Sequence, residues 1–164
     1  MKKVIIFDAS TLITFAMNGL IPEVRELKKI FKGHFIITKD VKREIIDKPL
    51  AIKRFELEAL KLKQLLDDKV LEMPSVFGVD EENISKRTKE FIDIANGTFM
   101  GKEKEIHLID SGEASCLALS KLLDKEYEVV IAIDERTTRM LCEKPENLKK
   151  LFEKRMHSKI TSKK

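Results

Sequence analysis

Short apolar runs alternate along this chain with longer stretches whose apolar residues recur every three or four positions. Residues 4–7, VIIF, are continuous, β-branched and apolar, which predicts a buried strand of a parallel sheet ending at Asp8. Asp8 or Ser10 caps a following helix through about Met17, and Gly19 closes it. Pro22 opens a second helix carrying Val24, Leu27, Ile30 and Phe31, with Gly33 as its stop. Phe35-Ile36-Ile37 predicts a second strand. Thr38 caps a helix containing Val41, Glu44 and Ile45, interrupted by Pro49, and a long helix follows from Ile52 to Leu66.

Val70 to Met73 reads as a third strand ended by Pro74, and residues 81–95 as an amphipathic helix before a loop around Gly97 and Gly101. The segment ASCLALSKLL is apolar on most sides, which predicts a buried helix, introduced by Asp110-Ser111-Gly112-Glu113. Residues 128–133 form the fourth strand, ending like the first at an Asp, Asp134. Two helices close the pattern, over 135–142 and from Pro145 to about His157. Strands alternating with helices predict an α/β sandwich with a mostly parallel sheet. No repeat or long linker divides it, so residues 1–158 form one domain and 159–164 a basic tail.

Composition narrows this picture. Hydrophobic residues at 43% exclude disorder as the default, and charged residues at 37%, with no Trp, resemble thermophile usage. The net charge of +4 is weak support for a nucleic-acid partner, although basic residues concentrate from Lys144 onward. Cys116 and Cys142 lack a CxxC partner and read as small core residues in a reducing compartment. His34, His107 and His157 are isolated and read as structural. The first apolar run is cut after four residues by Asp8, too short for a signal peptide, and no stretch spans a bilayer; a cytoplasmic protein is expected.

Four carboxylates stand out against this pattern. In an open parallel sheet, ligands bind beyond the carboxyl ends of the strands. Asp8 and Asp134 both follow strands directly, Glu113 opens the buried helix, and Glu44 lies one or two turns into the helix after the second strand. Each has a structural alternative. Asp8 and Asp134 fit as helix caps, Asp110 and Glu113 have capping-box spacing, and Glu44 fits an ion pair with Lys48. Together they concentrate negative charge on one rim, which a hard cation such as Mg²⁺ or Mn²⁺ neutralises. A cation held by carboxylates and waters suits phosphodiester hydrolysis.

These segments resemble the PIN-domain nuclease family. VIIFDASTLI is similar to the opening motif of PIN domains, KDVKREI to the second acidic motif, DSGEASCLALSKL to the third and VVIAIDERTTRML to the fourth, in the same order over most of residues 3–142. The resemblance implies a three-layer sandwich with a mostly parallel central sheet of four to five strands flanked by helices. It also implies a metal-dependent ribonuclease using Mg²⁺ or Mn²⁺ on RNA, with single-stranded RNA the expected substrate. Asp8, Glu113 and Asp134 would ligate metal, Glu44 would bind metal or orient its water, and Ser10 would hydrogen-bond within the site. Asp110 and Glu135 rank as neighbours. Lys39, Lys42, Arg43, Arg136 and Arg139 flank the motifs and suit an RNA backbone. A toxin role with an antitoxin partner and a housekeeping RNA-processing role are both open, and related domains are often homodimers. The segment between Glu44 and Glu113 is long for the family, and only Lys159-Ile160-Thr161 remains for a fifth strand.

Two other readings compete. A strand ending in FDAS also resembles haloacid-dehalogenase phosphotransferases, but those place a second acid where this chain has Ser10. A catalytically silent PIN-like module that binds RNA or a partner is the second.

Overall fold

The computed structural model describes residues 1–101 and 104–162. Its first strand, β1 (Lys2–Phe7), is followed by the helices α1 (Ala9–Met17) and α2 (Ile21–Phe31), then β2 (His34–Ile36). Next come α3 (Lys39–Lys42), one turn of π-helix (Arg43–Asp47), α4 (Lys48–Leu50), α5 (Glu56–Asp67) and α6 (Glu81–Asn96). The second half contains β3 (Phe99–Gly101), β4 (Lys104–Glu105), α7 (Ser111–Leu123), β5 (Tyr127–Ala132), α8 (Arg136–Glu143), α9 (Pro145–Met156) and β6 (Ile160–Ser162).

The main sheet has the order β2-β1-β5 and is parallel throughout. Ile5 stands opposite Phe35 on one side and Val130 on the other, and the register brings Phe7 level with Ala132. In the central strand Val4 and Ile6 are fully buried, as expected of a strand paired on both edges. Edge strand β5 alternates instead, leaving Glu128 and Val130 exposed.

The expected sheet of four to five strands is therefore smaller. Residues 70–73 contribute only a single parallel bridge, Ile36 to Glu72, because Val70 and Leu71 turn back to bond the end of α5 through the Leu65 carbonyl. The strand foreseen around Ile160 does form, but it joins a different sheet. It pairs antiparallel with β3, whose other neighbour is β4, in the segment that the glycines had suggested was loop. The tail is thus structured to Ser162; Lys163 and Lys164 lie outside the described residues. The long helix also begins late, at Glu56, with residues 51–55 forming turns.

Two apolar clusters hold the domain. The larger gathers β1, β2, α1, α2, α5 and α7 around Ile6, Leu12, Phe35, Leu62 and Leu119. The smaller packs Phe99, Ile109, Leu148 and Ile160 under the second sheet. Helix α7 spans both, with Cys116 and Leu119 in the first and Ala114 in the second. Helix α2 ends one residue before expected, at Lys32 in the left-handed region (φ 51°), and Gly33 serves a separate need. A Cβ on Gly33 would lie 2.4 Å from the Lys3 carbonyl oxygen of β1, so only glycine lets the chain enter β2 there. Cys142, expected in the core, is exposed, while Cys116 is buried. No helix among the described residues is long and apolar enough to cross a membrane.

Candidate active site

Parallel pairing of β1 with β5 brings the two strand-terminal acids to one rim. The Asp8 backbone N–H donates to the Ala132 carbonyl at 3.0 Å, continuing the ladder one residue past the strand. Asp8 is the N-cap of α1 and is 3% exposed. Its Oδ2 accepts the Ser10 hydroxyl at 2.6 Å and the Ser10 N–H at 3.2 Å. The same Ser10 hydroxyl accepts the Asp134 N–H at 3.2 Å, so one side chain ties the ends of β1 and β5 together. Thr11 adds a bond from its hydroxyl to the Ala132 carbonyl at 3.1 Å.

Three further acids meet Asp8 across a cavity of about 210 Å³ lined by Asp8, Ala9, Ser10, Ile13, Glu44, Asp110 and Glu113. Glu44 arrives from the π turn. Widening a helix by one residue per turn is a local irregularity that recurs at functional sites. Glu113 arrives from the first turn of α7, where its Oε2 accepts the Asp110 N–H at 2.6 Å, half of the capping box that the D-x-x-E spacing suggested. Gly112 sits between them. A Cβ there would be 3.0 Å from Glu44 Oε2 and 3.9 Å from Asp8 Oδ1, so the absent side chain is what lets these carboxylates close on the helix.

The electrostatics record the crowding. Burial raises the pKa of Glu113 to about 7, aided by the charges of Asp8, Asp110 and Glu135 and opposed by its bond from Asp110. Burial, then Asp8 and Asp110, also raise Glu44, although its exposure at the pocket mouth lets water screen part of the effect. The alternative pairing of Glu44 with Lys48 survives only as an attraction weaker than these. Among the described residues, no three Asp, Glu, His or Cys side chains already stand as a coordination shell.

Asp134 shares the rim but not the cavity wall. Its Oδ2 accepts the Thr14 hydroxyl at 3.3 Å on the exposed side of α1. Nor does it cap α8, as expected; Glu135 does, its Oε2 accepting the Thr138 N–H at 2.6 Å. Burial would raise the Glu135 pKa, but the bonds from Thr138 and Thr137 outweigh it and lower it. Asp110, ranked as a neighbour from sequence, lines the pocket instead. Its Oδ1 meets His107 Nε2 at 2.8 Å, and His107 Nδ1 meets the Asn96 amide at 3.2 Å. The Asn96 oxygen accepts the N–H groups of Leu108 and Ile109, which fixes its NH₂ toward the imidazole and leaves His107 Nε2 as the donor to Asp110. The D-x-G-E spelling was the available signal for Asp110. Asn96, at the end of another helix, gave none.

Basic side chains flank the acids. Arg43 and Lys48 line a polar cavity of about 310 Å³ that shares Glu44 and Asp110 with the acidic pocket. Arg139 lines another, of about 230 Å³, that shares Glu113. Several are partly neutralised: Lys42 by Asp47 at 2.6 Å, Arg43 by Asp40, and Arg139 more loosely by Glu143 at 4.0 Å. Compared with protein-family models, curated proteins and solved structures, the chain matches none.

Proposed function

We propose that this chain is a divalent-cation-dependent ribonuclease of the PIN type, with single-stranded RNA as substrate. The observation that supports it is the convergence of Asp8, Glu44 and Glu113, from three separate elements, with Asp110, on one cavity where burial and mutual repulsion raise the pKa values of two of them. Such an arrangement costs folding free energy, and perturbed groups in a cleft are the pattern of a functional site. The donors are all hard oxygens, which suits Mg²⁺ or Mn²⁺. Mg²⁺ is commonly held by one or two carboxylates plus waters, so a full protein shell is not required. Asp8, Glu44 and Glu113 would hold the cation, with Asp134 at the rim. Once bound, it lowers the pKa of its water and stabilises charge developing on the phosphate.

The chain's own residues contribute the rest. Ser10 occupies Asp8 Oδ2 and leaves Oδ1 on the side facing Gly112. Glu113, which burial keeps protonated up to about pH 7 without a cation, would release that proton on binding one. Arg43, Lys48 and Arg139 on either side would hold the RNA backbone without reading its sequence. In this reading the sheet is the middle of three layers. An antitoxin or a second copy of the chain is a fitting partner for the apolar side chains exposed on α1, α2 and α5, among them Met17, Ile30, Leu57 and Leu60.

A second reading, an RNA- or partner-binding module without cleavage, draws support from the lack of a ready coordination shell among the described residues. One experiment separates the two. Wild type should cleave single-stranded RNA with Mn²⁺, and millimolar Mn²⁺ should raise its melting temperature. Asp8→Asn should abolish cleavage with the fold retained. Cleavage undiminished in that variant rejects the nuclease assignment; binding without cleavage over several metals and substrates favours the module.

A further inference from the structure

We infer that the buried hydroxyl pair Thr38–Ser115 is a positioning device that sets the gap between Glu44 and the first turn of α7, an inference that rests on reading the acidic pocket as a cation-dependent hydrolytic site. Both residues are 0% exposed, as are Val41, Ala114 and Cys116 near them in the chain. Thr38 Oγ1 stands 2.6 Å from Ser115 Oγ, a side-chain bond spanning 77 residues of sequence and joining α3 to α7.

The proton count gives this bond a direction. Ser115 Oγ lies 2.7 Å from the Gly112 carbonyl, which can only accept, so the single Ser115 proton goes there. Thr38 must then donate to Ser115, and its own oxygen accepts the Val41 N–H at 3.2 Å. The relay runs from the α3 backbone through two hydroxyls to the carbonyl of Gly112, with every polar atom used.

Its ends are the two parts of the pocket that repel. α3 continues without a break into the π turn that carries Glu44. Gly112 is the residue over which Glu44 Oε2 closes, and it immediately precedes Glu113. Carboxylates on both sides push these elements apart. A hydrogen bond in a dry, low-dielectric layer beneath them is the cross-tie that resists this. A solvent-exposed ion pair at the rim would be screened and could not. Cation affinity should depend on the tie because ligands held at a fixed spacing lose less on binding, as seen when residues behind metal ligands are altered.

The test uses the full chain and the variants Ser115→Ala, Thr38→Val and Thr38→Ser. Three readouts are taken: metal-free melting, Mn²⁺ affinity from the spin-resonance signal of free Mn²⁺, and kcat and KM for single-stranded RNA. Ser115→Ala and Thr38→Val should bind Mn²⁺ about tenfold more weakly, with kcat reduced and KM for RNA unchanged. Thr38→Ser, which keeps the hydroxyl, should restore Mn²⁺ affinity and kcat relative to Thr38→Val. Should Ser115→Ala fail to fold, Ser115→Cys, with similar volume and a weaker bond, takes its place. Variants that fold and match wild type in Mn²⁺ affinity and kcat overturn the inference and leave the nuclease reading standing. So does a loss in Thr38→Val that Thr38→Ser does not restore. A wild-type chain that neither binds Mn²⁺ nor cleaves removes the reading itself, and this inference with it.

Discussion

Glu113 carries two demands at once: it closes the backbone at the start of α7 and faces the other acids. The first favours its ionised form, the second its neutral form, and burial with repulsion wins, moving its pKa from 4.5 to about 7. The unfolded chain releases this proton near the lower value and the folded chain near the higher, so between them the folded state holds more protons. Metal-free stability should therefore fall as pH rises through that window and level off above it. Solvent reaches part of this side chain, so the loss is about 1–2 kcal/mol, or a few degrees of melting temperature for a chain of this size. Glu113→Gln should flatten the profile, read from melting curves at pH 5 and 7.5 without metal. An unchanged slope would place the proton elsewhere. Asp110 teaches the complementary point. Its spacing from Glu113 was read from sequence as a cap, which it is, but a cap whose carboxyl is also held by His107 and opens on the pocket.

At the level of elements, the site depends on how closely α7 approaches the π turn. Gly112 sets that approach, since an added Cβ meets the end of the flexible, exposed Glu44 side chain at 3.0 Å but finds only ordinary contact with Asp8 and Val41. Gly112→Ala should keep the fold. It removes a glycine from the first turn of α7 where the backbone does not need one, a gain of up to about 1 kcal/mol in metal-free stability through the unfolded chain, while displacing Glu44. The expected result is an equal or higher melting temperature with weaker Mn²⁺ binding. Wild-type affinity in that variant would mean that Glu44 takes no part in holding the cation. The short elements β3, β4 and β6 were less legible than α7. Their two or three residues alternate too briefly to show a period, and pairing between Phe99 and Ser162 is a contact across most of the second half of the chain.

The whole molecule divides its stability between two apolar clusters joined by α7. Leu148, fully buried in α9, belongs to the cluster away from the acidic pocket. Leu148→Ala should cost about 2–5 kcal/mol, seen as a lower denaturation midpoint. The rise in melting temperature caused by Mn²⁺ should persist, because β1, the π turn and most of the pocket are supported by the other cluster. Loss of that rise would show that the second sheet also holds the start of α7 in place.

Sequence alone determined which segments are strands and helices where runs are long. It determined that β1 ends at an acid, that Asp8 and Asp134 follow strands, that Glu113 opens a helix and that Glu44 lies within one, because period and capping are local properties. Tertiary structure decided the rest: the narrowing of the sheet to three strands, the destination of β6, the turn of Asp134 toward Thr14, and the entry of Asp110 into the pocket. Those outcomes follow from strand pairing, backbone approach at Gly112 and charge repulsion between elements far apart in the chain, which no local pattern encodes.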